Sequence, residues 1–141
     1  MKMSDSQLVD KIQSVGLRAT PQRIQLLRLL SETDTHPSAE MLINMAKDAG
    51  YNISVGTVYN ALECFEQKGL IRRVHDNTEI MRYDAKTGFH VHIVDQKTRE
   101  IYDLQDEELE EIIQEHLRKK MPANYDINLL DVTVYADKFI S

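Results

Sequence analysis

One cysteine, Cys64, stands among the 141 residues. A single thiol closes no intramolecular disulfide and builds no four-cysteine zinc site. No apolar run approaches the roughly 20 residues that a membrane-spanning helix needs. The first stretch, MKMSDSQLVD, alternates charge with apolar residues and has no secretory hydrophobic region. An excess of positive charge is missing too. The net charge is −6, which counts against a surface that binds polyanions along its whole length. These absences lead to an expectation of a cytoplasmic protein with no membrane association.

What is present is ordinary in amount and uneven in placement. An apolar fraction of 42% and a charged fraction of 28% suit one globular domain, or two small ones that stabilise each other. Residues 1–86 carry 11 basic and 11 acidic side chains, whereas residues 87–141 carry 6 and 12. A neutral half joined to an acidic half suggests two units with different work. The acidic run DEELEEIIQE is, taken alone, the solvated face of a helix.

The neutral half reads as four helices and a hairpin. SDSQLVDKIQSVG has Leu8, Ile12 and Val15 at helical spacing, with Gly16 to end it. TPQRIQLLRLLS opens with Thr20 as N-cap and Pro21 in the first helical position, and its stripe is Ile24, Leu27 and Leu30. A third helix starts at Ser38 and stops by Gly50. A fourth starts at Ser54, carries Val55, Val58, Leu62 and Phe65 on one face, and stops at Gly69. LIRRVHDNTEIMRYD then gives two short strands around Asp76-Asn77.

Short helices followed by a hairpin is the order of a winged helix-turn-helix, whose last helix enters the major groove of DNA. Thr57, Tyr59 and Asn60 lie on its outer face, where an amide can pair with adenine and a ring or methyl group can pack on thymine. Arg18, Arg23, Arg72 and Arg73 are the candidates for phosphate contacts. A helical domain that binds protein has the same pattern.

The acidic half begins after AKTG, a short polar connection suited to a hinge. HVHIVD and REIYDL read as strands, DEELEEIIQEHLRKK as a helix with acid first and base last, and Asn128 to Val134 as a final strand. About 50 residues bury too little to stand alone, and a second copy is the obvious partner. The expected fold is α+β: a winged-helix DNA-binding domain over 1–83, a hinge over 84–88, and a small α/β dimerisation domain over 89–141. On a strand, His90 and His92 point to the same side.

As a set, GLRATPQR, HPSAEML, SVGTVYNALECFEQKGLI, RYD, HVH and IYDL resemble the ferric uptake regulator family, in order and spacing, over residues 12–135. The resemblance implies a dimeric, metal-responsive repressor that binds a double-stranded operator and is not an enzyme. It also implies a regulatory metal site, onto which His36, Asp84, His90, His92 and Asp103 fall. Three imidazoles and two carboxylates suit Fe²⁺ or Mn²⁺, with Zn²⁺ possible in vitro. His36 lies on the DNA-binding half, so a metal that takes all five ligands selects one arrangement of the two halves. Peroxide-sensing members of the family tend to have Asp where Asp103 sits and Asn where Asn60 sits; iron sensors tend to have Glu and Arg. Both positions point to the peroxide-responsive branch, in which bound Fe²⁺ leads to oxygenation of a histidine ligand such as His36 or His90.

The departures are equally definite. Most members hold a structural zinc with two Cys-x-x-Cys pairs, and neither IVDQKTRE nor VYADKFIS has a cysteine. Val91, between the two histidines, cannot ligate, so the family's further site is expected to be lost. Three readings compete with a peroxide sensor: an iron- or manganese-responsive repressor, a metal-free winged-helix regulator, and a non-haem metal enzyme built on two histidines and one carboxylate. With no thiolate site to couple metal to folding, the purified protein is predicted to stay folded and dimeric after exhaustive chelation. Sedimentation and circular dichroism check this, and chelator-induced monomers or unfolding would contradict it.

Overall fold

Four hydroxyl side chains start the four helices of the first half. Ser4, Thr20, Ser38 and Ser54 each accept a hydrogen bond from the backbone N–H three residues on, at 3.2, 3.3, 3.2 and 3.2 Å. Each such cap is worth about 1 kcal/mol. The helices are α1 (Asp5–Ser14), α2 (Pro21–Glu32), α3 (Ala39–Asp48) and α4 (Val55–Gln67). In this computed structural model, residues 2–86 and 88–139 are described. The chain divides into two units, Met1–Thr87 and Gly88–Ser141.

In the first unit the helices bury one shared core. Leu8 and Ile12 of α1, Leu26, Leu27 and Leu30 of α2, Leu42 of α3, and Val58, Leu62 and Phe65 of α4 are all at most 3% exposed. Each large side chain so buried contributes about 2 kcal/mol of transfer free energy. Two expected positions differ. On α2 the buried stripe runs through Leu26, Leu27 and Leu30, while Ile24 is only half-buried. On α4, Val55 is 54% exposed and Ala61 is buried in its place. Val55 has the right angular phase but is the first residue of the helix.

After α4, Gly69 takes φ +77, a value that favours glycine, and turns the chain into the hairpin. Strands β1 (Arg72–His75) and β2 (Met81–Asp84) pair antiparallel, with Arg72 opposite Asp84 and His75 opposite Met81. Their connection spans residues 76–80. In it the Asp76 carboxylate accepts from the Thr78 N–H at 3.0 Å, and Asn77 adopts φ +71. Helices followed by this hairpin make a winged helix-turn-helix.

Among the described residues the second unit is a three-stranded sheet and one helix. Its strands are β3 (Val91–Asp95), β4 (Ile101–Leu104) and β5 (Val132–Ala136), in the order β4-β3-β5. β4 runs antiparallel to β3, and β5 runs parallel to it. Helix α5 (Glu107–Lys120) supplies the crossover. It is capped by Asp106, which accepts from the Leu109 N–H at 3.0 Å, and it carries acid in its first turn and base in its last. The final strand begins later than residue 128. Its register runs from Val132 opposite Val91 to Ala136 opposite Asp95, so residues 128–131 have no β3 backbone to pair with.

Apolar burial in this unit is thin. Val91, Val94 and Ile101 are buried, no residue of α5 is, and Tyr102, Leu104, Val134 and Tyr135 are exposed. The fold class is α+β, an N-terminal winged helix-turn-helix followed by a small α/β unit. Among the described residues no helix is long and apolar enough to cross a membrane.

Candidate functional site

The outer face of α4 is set by its start. Ser54 caps the helix, and its hydroxyl also lies 2.8 Å from that of Thr57. With Val58, Ala61, Leu62 and Phe65 turned to the core, Tyr59 and Asn60 stand in solvent and Thr57 lies half-buried beside them. Gly56 is exposed as well, and a Cβ added there would meet nothing within 4 Å. The start of α2 lies alongside. Arg23 donates to the Arg18 carbonyl at 2.9 Å, which folds its guanidinium back over the helix start. Arg18, Thr20, Gln22, Arg23, Thr57 and Asn60 line one open concavity of about 360 Å³. Two guanidinium groups beside the start of α2 make a place for an anion such as a backbone phosphate.

Two of the expected phosphate contacts part company on the hairpin. Arg73 faces outward, its side chain 53% exposed, and pairs with Glu66 of α4. Arg72 is buried at 8% exposure, which removes it from the phosphate-facing set. Neighbours on a strand face opposite sides, so only one of the two could look outward.

His36 sits in the loop between α2 and α3. It is buried and adopts φ +53, a left-handed backbone that costs a residue with a side chain on the order of 1 kcal/mol. The loop is laced to β2. Tyr83 donates its N–H to the Pro37 carbonyl at 3.0 Å, Ser38 forms a backbone bridge with Arg82, and the Arg82 guanidinium donates to the carbonyls of Thr35, at 2.5 Å, and His36. In this setting the His36 Nε2 stands 3.6 Å from an Asp84 carboxylate oxygen. The other Asp84 oxygen accepts from the Lys86 N–H at 2.8 Å, which fixes how the carboxylate is turned. Lys86 also reaches Asp34 at 2.5 Å, and this pairing holds the Asp34 carboxyl below its usual range.

In the second unit the strand pleat does the same work for three residues. His90 immediately precedes β3, His92 lies on it, and Asp103 of β4 is the cross-strand partner of His92. His90 and His92 are fully buried, at 1% and 0% exposure. Their Nε2 atoms are 2.9 Å apart, and an Asp103 oxygen lies 3.7 Å from the first and 3.6 Å from the second. Three points so separated lie on a circle of radius about 2.0 Å. An ion near its centre is therefore roughly 2.0–2.2 Å from each donor, the length of ordinary metal–imidazole and metal–carboxylate bonds. The His90 Nδ1 lies 2.9 Å from the Gly88 carbonyl. A proton on that nitrogen puts the lone pair on Nε2, the tautomer that a metal-binding histidine uses when its other nitrogen donates to a carbonyl. The donor set and its spacing fit a divalent transition metal.

These features have counterparts among known proteins. A profile of the ferric uptake regulator family matches residues 14–135. The chain belongs to the ferric uptake regulator family. Within that family it is 32% identical, over 127 residues, to the peroxide-responsive repressor PerR of Staphylococcus aureus, a match that covers 90% of this chain and 84% of the relative. The solved ferric uptake regulator from Pseudomonas aeruginosa with manganese superposes with a TM-score of 0.80 at 27% identity, covering 96% and 98% of the two chains. The Campylobacter jejuni peroxide stress regulator superposes at 0.72 with 30% identity, covering 98% of each. The chain has one cysteine, Cys64, and so no Cys-x-x-Cys pair.

Within the first unit, then, the chain brings together His36 with Asp84, and Arg18 and Arg23 with Thr57 and Asn60. Within the second it brings together His90, His92 and Asp103. Sequence reasoning did not find the contacts from Arg82 to the carbonyls of Thr35 and His36, because they span 47 and 46 residues and follow no local period. Substituting His92 by alanine, which opens the fully buried corner of the triad, is predicted to weaken Mn²⁺ or Co²⁺ binding at least ten-fold while the first unit keeps its thermal transition. Competition titration and calorimetry read the two effects, and unchanged affinity would remove the triad as a metal site.

Proposed function

We propose that this chain is a homodimeric DNA-binding repressor that works in the cytoplasm and uses His36, Asp84, His90, His92 and Asp103 to hold one Fe²⁺ or Mn²⁺. The observation that carries the reading is the His90–His92–Asp103 triangle. Its spacing is that of three ligands on a single ion, and its residues lie in a chain of this family. His36 and Asp84 bring two more donors from the DNA-binding unit. An ion that takes donors from both units fixes how the recognition helices of a dimer are presented to two half-sites. The thin core and exposed apolar residues of the second unit support a dimer held there by packing alone. The dimer is not an enzyme on this reading: with five protein ligands there is little room for a substrate at the ion.

We further propose that the signal is peroxide. Asp103 and Asn60 support this branch, as does the likeness to the PerR of Staphylococcus aureus. Bound Fe²⁺ supplies the reactivity toward peroxide, and the imidazole of His36 or His90 accepts the oxygen. An oxygenated imidazole is a poorer ligand, so the domain arrangement is lost and DNA is released. A second reading, an iron- or manganese-responsive repressor without peroxide sensing, uses the same five residues.

Four outcomes are predicted for DNA binding to the chain's own upstream region. Mn²⁺ or Fe²⁺ raises affinity. His36→Ala keeps part of the metal affinity and abolishes the metal dependence. A brief peroxide pulse adds the mass of one oxygen atom to the peptide carrying His36 or His90 in the Fe²⁺ form and releases DNA, whereas the Mn²⁺ form resists. Release with no oxidised histidine leaves only the metal-responsive reading, and metal binding with no effect on DNA removes the repressor switch and restores the enzyme alternative. Separately, Tyr59→Ala or Asn60→Ala should weaken specific binding by about 1–3 kcal/mol each and leave metal affinity alone. An unchanged ratio of specific to non-specific affinity for Tyr59→Ala would show that α4 does not read bases.

A further inference from the structure

His36 occupies a backbone conformation that residues with side chains avoid, at φ +53. Its own sequence context does not compel this. Pro37 restricts the preceding residue toward extended conformations, not toward left-handed ones. Groups outside the loop must hold it, and the side chain that reaches its backbone carbonyl is that of Arg82.

Arg82 is 8% exposed and stands on β2. Its guanidinium is engaged on three sides. Nε donates to the His36 carbonyl, one terminal nitrogen donates to the Thr35 carbonyl at 2.5 Å, and the other donates to an Asp76 carboxylate oxygen at 3.3 Å. Asp76, 4% exposed, lies at the start of the hairpin connection. It also accepts from the N–H and hydroxyl of Thr78. Burial pushes the Asp76 carboxyl upward, but the Thr78 and Arg82 hydrogen bonds outweigh it and hold the group below its usual range. A planar, delocalised cation with five donors in a fixed fork is suited to locking two consecutive carbonyls at once, which the point charge of a lysine cannot do.

We infer that Arg82, anchored by Asp76, is the positioning residue for His36: it holds residues 35–36 in the conformation that brings the His36 imidazole to Asp84, and so ties the wing of the DNA-binding unit to a metal ligand. The inference rests on the metal reading above for its functional meaning. It adds that the wing and the ligand loop move as one piece. A carbonyl lock that fails lets His36 relax to an ordinary backbone, which swings its ring away from Asp84. A bland alternative is that Arg82 and Asp76 form a buried ion pair that stabilises the unit and nothing more.

The two differ in what they couple to. Arg82→Lys keeps the charge and loses the fork; Asp76→Asn keeps the shape and loosens only the anchor. For the full-length, metal-free protein, amide hydrogen exchange should quicken at residues 34–38 in both variants while the α1–α4 core keeps its protection. Mn²⁺ affinity should fall about ten-fold in Arg82→Lys, the loss expected when a group that orients a metal ligand is removed, and the visible spectrum of the Co²⁺ form should change. In a His36→Ala background the same substitution should cost no further affinity, because Arg82 acts through His36. Should Arg82→Lys fail to fold, Asp76→Asn carries the same comparisons.

Exchange at 34–38 that matches the wild type overturns the inference whatever the metal does. So does a loss of affinity that simply adds to that of His36→Ala, since that is the behaviour of a buried ion pair. His36→Ala with undiminished Mn²⁺ affinity defeats the metal reading of His36 instead, and faster exchange in Arg82→Lys then still upholds the carbonyl lock.

Discussion

The register of β3 against β4 is the constraint on which the second unit's chemistry depends. His92 faces Asp103 because Val91 faces Leu104 and Val94 faces Ile101. A slip of one residue would turn Asp103 to the opposite face and place Tyr102 or Leu104 beside the imidazoles. The turn fixes that register. The Asp95 carboxylate accepts from the N–H groups of Lys97 and Thr98 at 2.9 and 3.1 Å, the Arg99 N–H returns to the Asp95 carbonyl at 2.8 Å, and Arg99 takes φ +67. Those turn hydrogen bonds hold the Asp95 carboxyl below its usual range. A hairpin closed so firmly at its tip carries the alignment along to the three donors. On the other side β5 clamps β3 over all five of its residues. The donors are therefore placed by backbone pairing, not by the side chains' own preferences.

Placement by backbone matters because so little else holds this unit. Thiolate–zinc coordination, which couples metal to folding, has no counterpart in a chain with one cysteine, on α4. Among the described residues the unit's buried aliphatic side chains are Val91, Val94 and Ile101, beside the buried imidazoles of His90 and His92 in the sequence. Buried imidazoles are costly unless something engages their nitrogens. Here the His90 Nδ1 lies 2.9 Å from the Gly88 carbonyl and the two Nε2 atoms lie 2.9 Å apart, and association with a second copy through the exposed apolar residues would bury surface that the isolated unit leaves in water.

Much of this was legible in the chain. The helix starts at Thr20, Ser38 and Ser54 were readable because each stands immediately before an apolar-periodic run, with Pro21 in the position that suits it. The His90–His92 pair was readable because strand alternation has a period of two and needs no tertiary information. Errors fell where local pattern meets tertiary geometry. Ile24 was placed in the α2 stripe, yet the stripe is centred between Leu26, Leu27 and Leu30 and leaves Ile24 at its margin. Arg72 and Arg73 were read together, although a strand must send them to opposite faces. The last strand was begun at Asn128 on its apolar content, while its true extent is dictated by the five residues of β3. The Arg82 lock lay beyond reach, because a side chain that grips backbone carbonyls leaves no trace in the residues it grips.

Gly56 has a consequence of a different kind. It lies in the first turn of α4, beside Thr57 and Tyr59, with open space where a side chain would go. Its backbone is helical, so replacement by alanine, serine or arginine gains helix propensity and strains nothing. On the proposed docking of α4 such a side chain would project at base edges. The fold therefore carries a site at which operator preference can drift from one lineage to another at no cost in stability, while the metal-binding machinery is left untouched. Responsiveness and target choice can then evolve as separate traits of one chain.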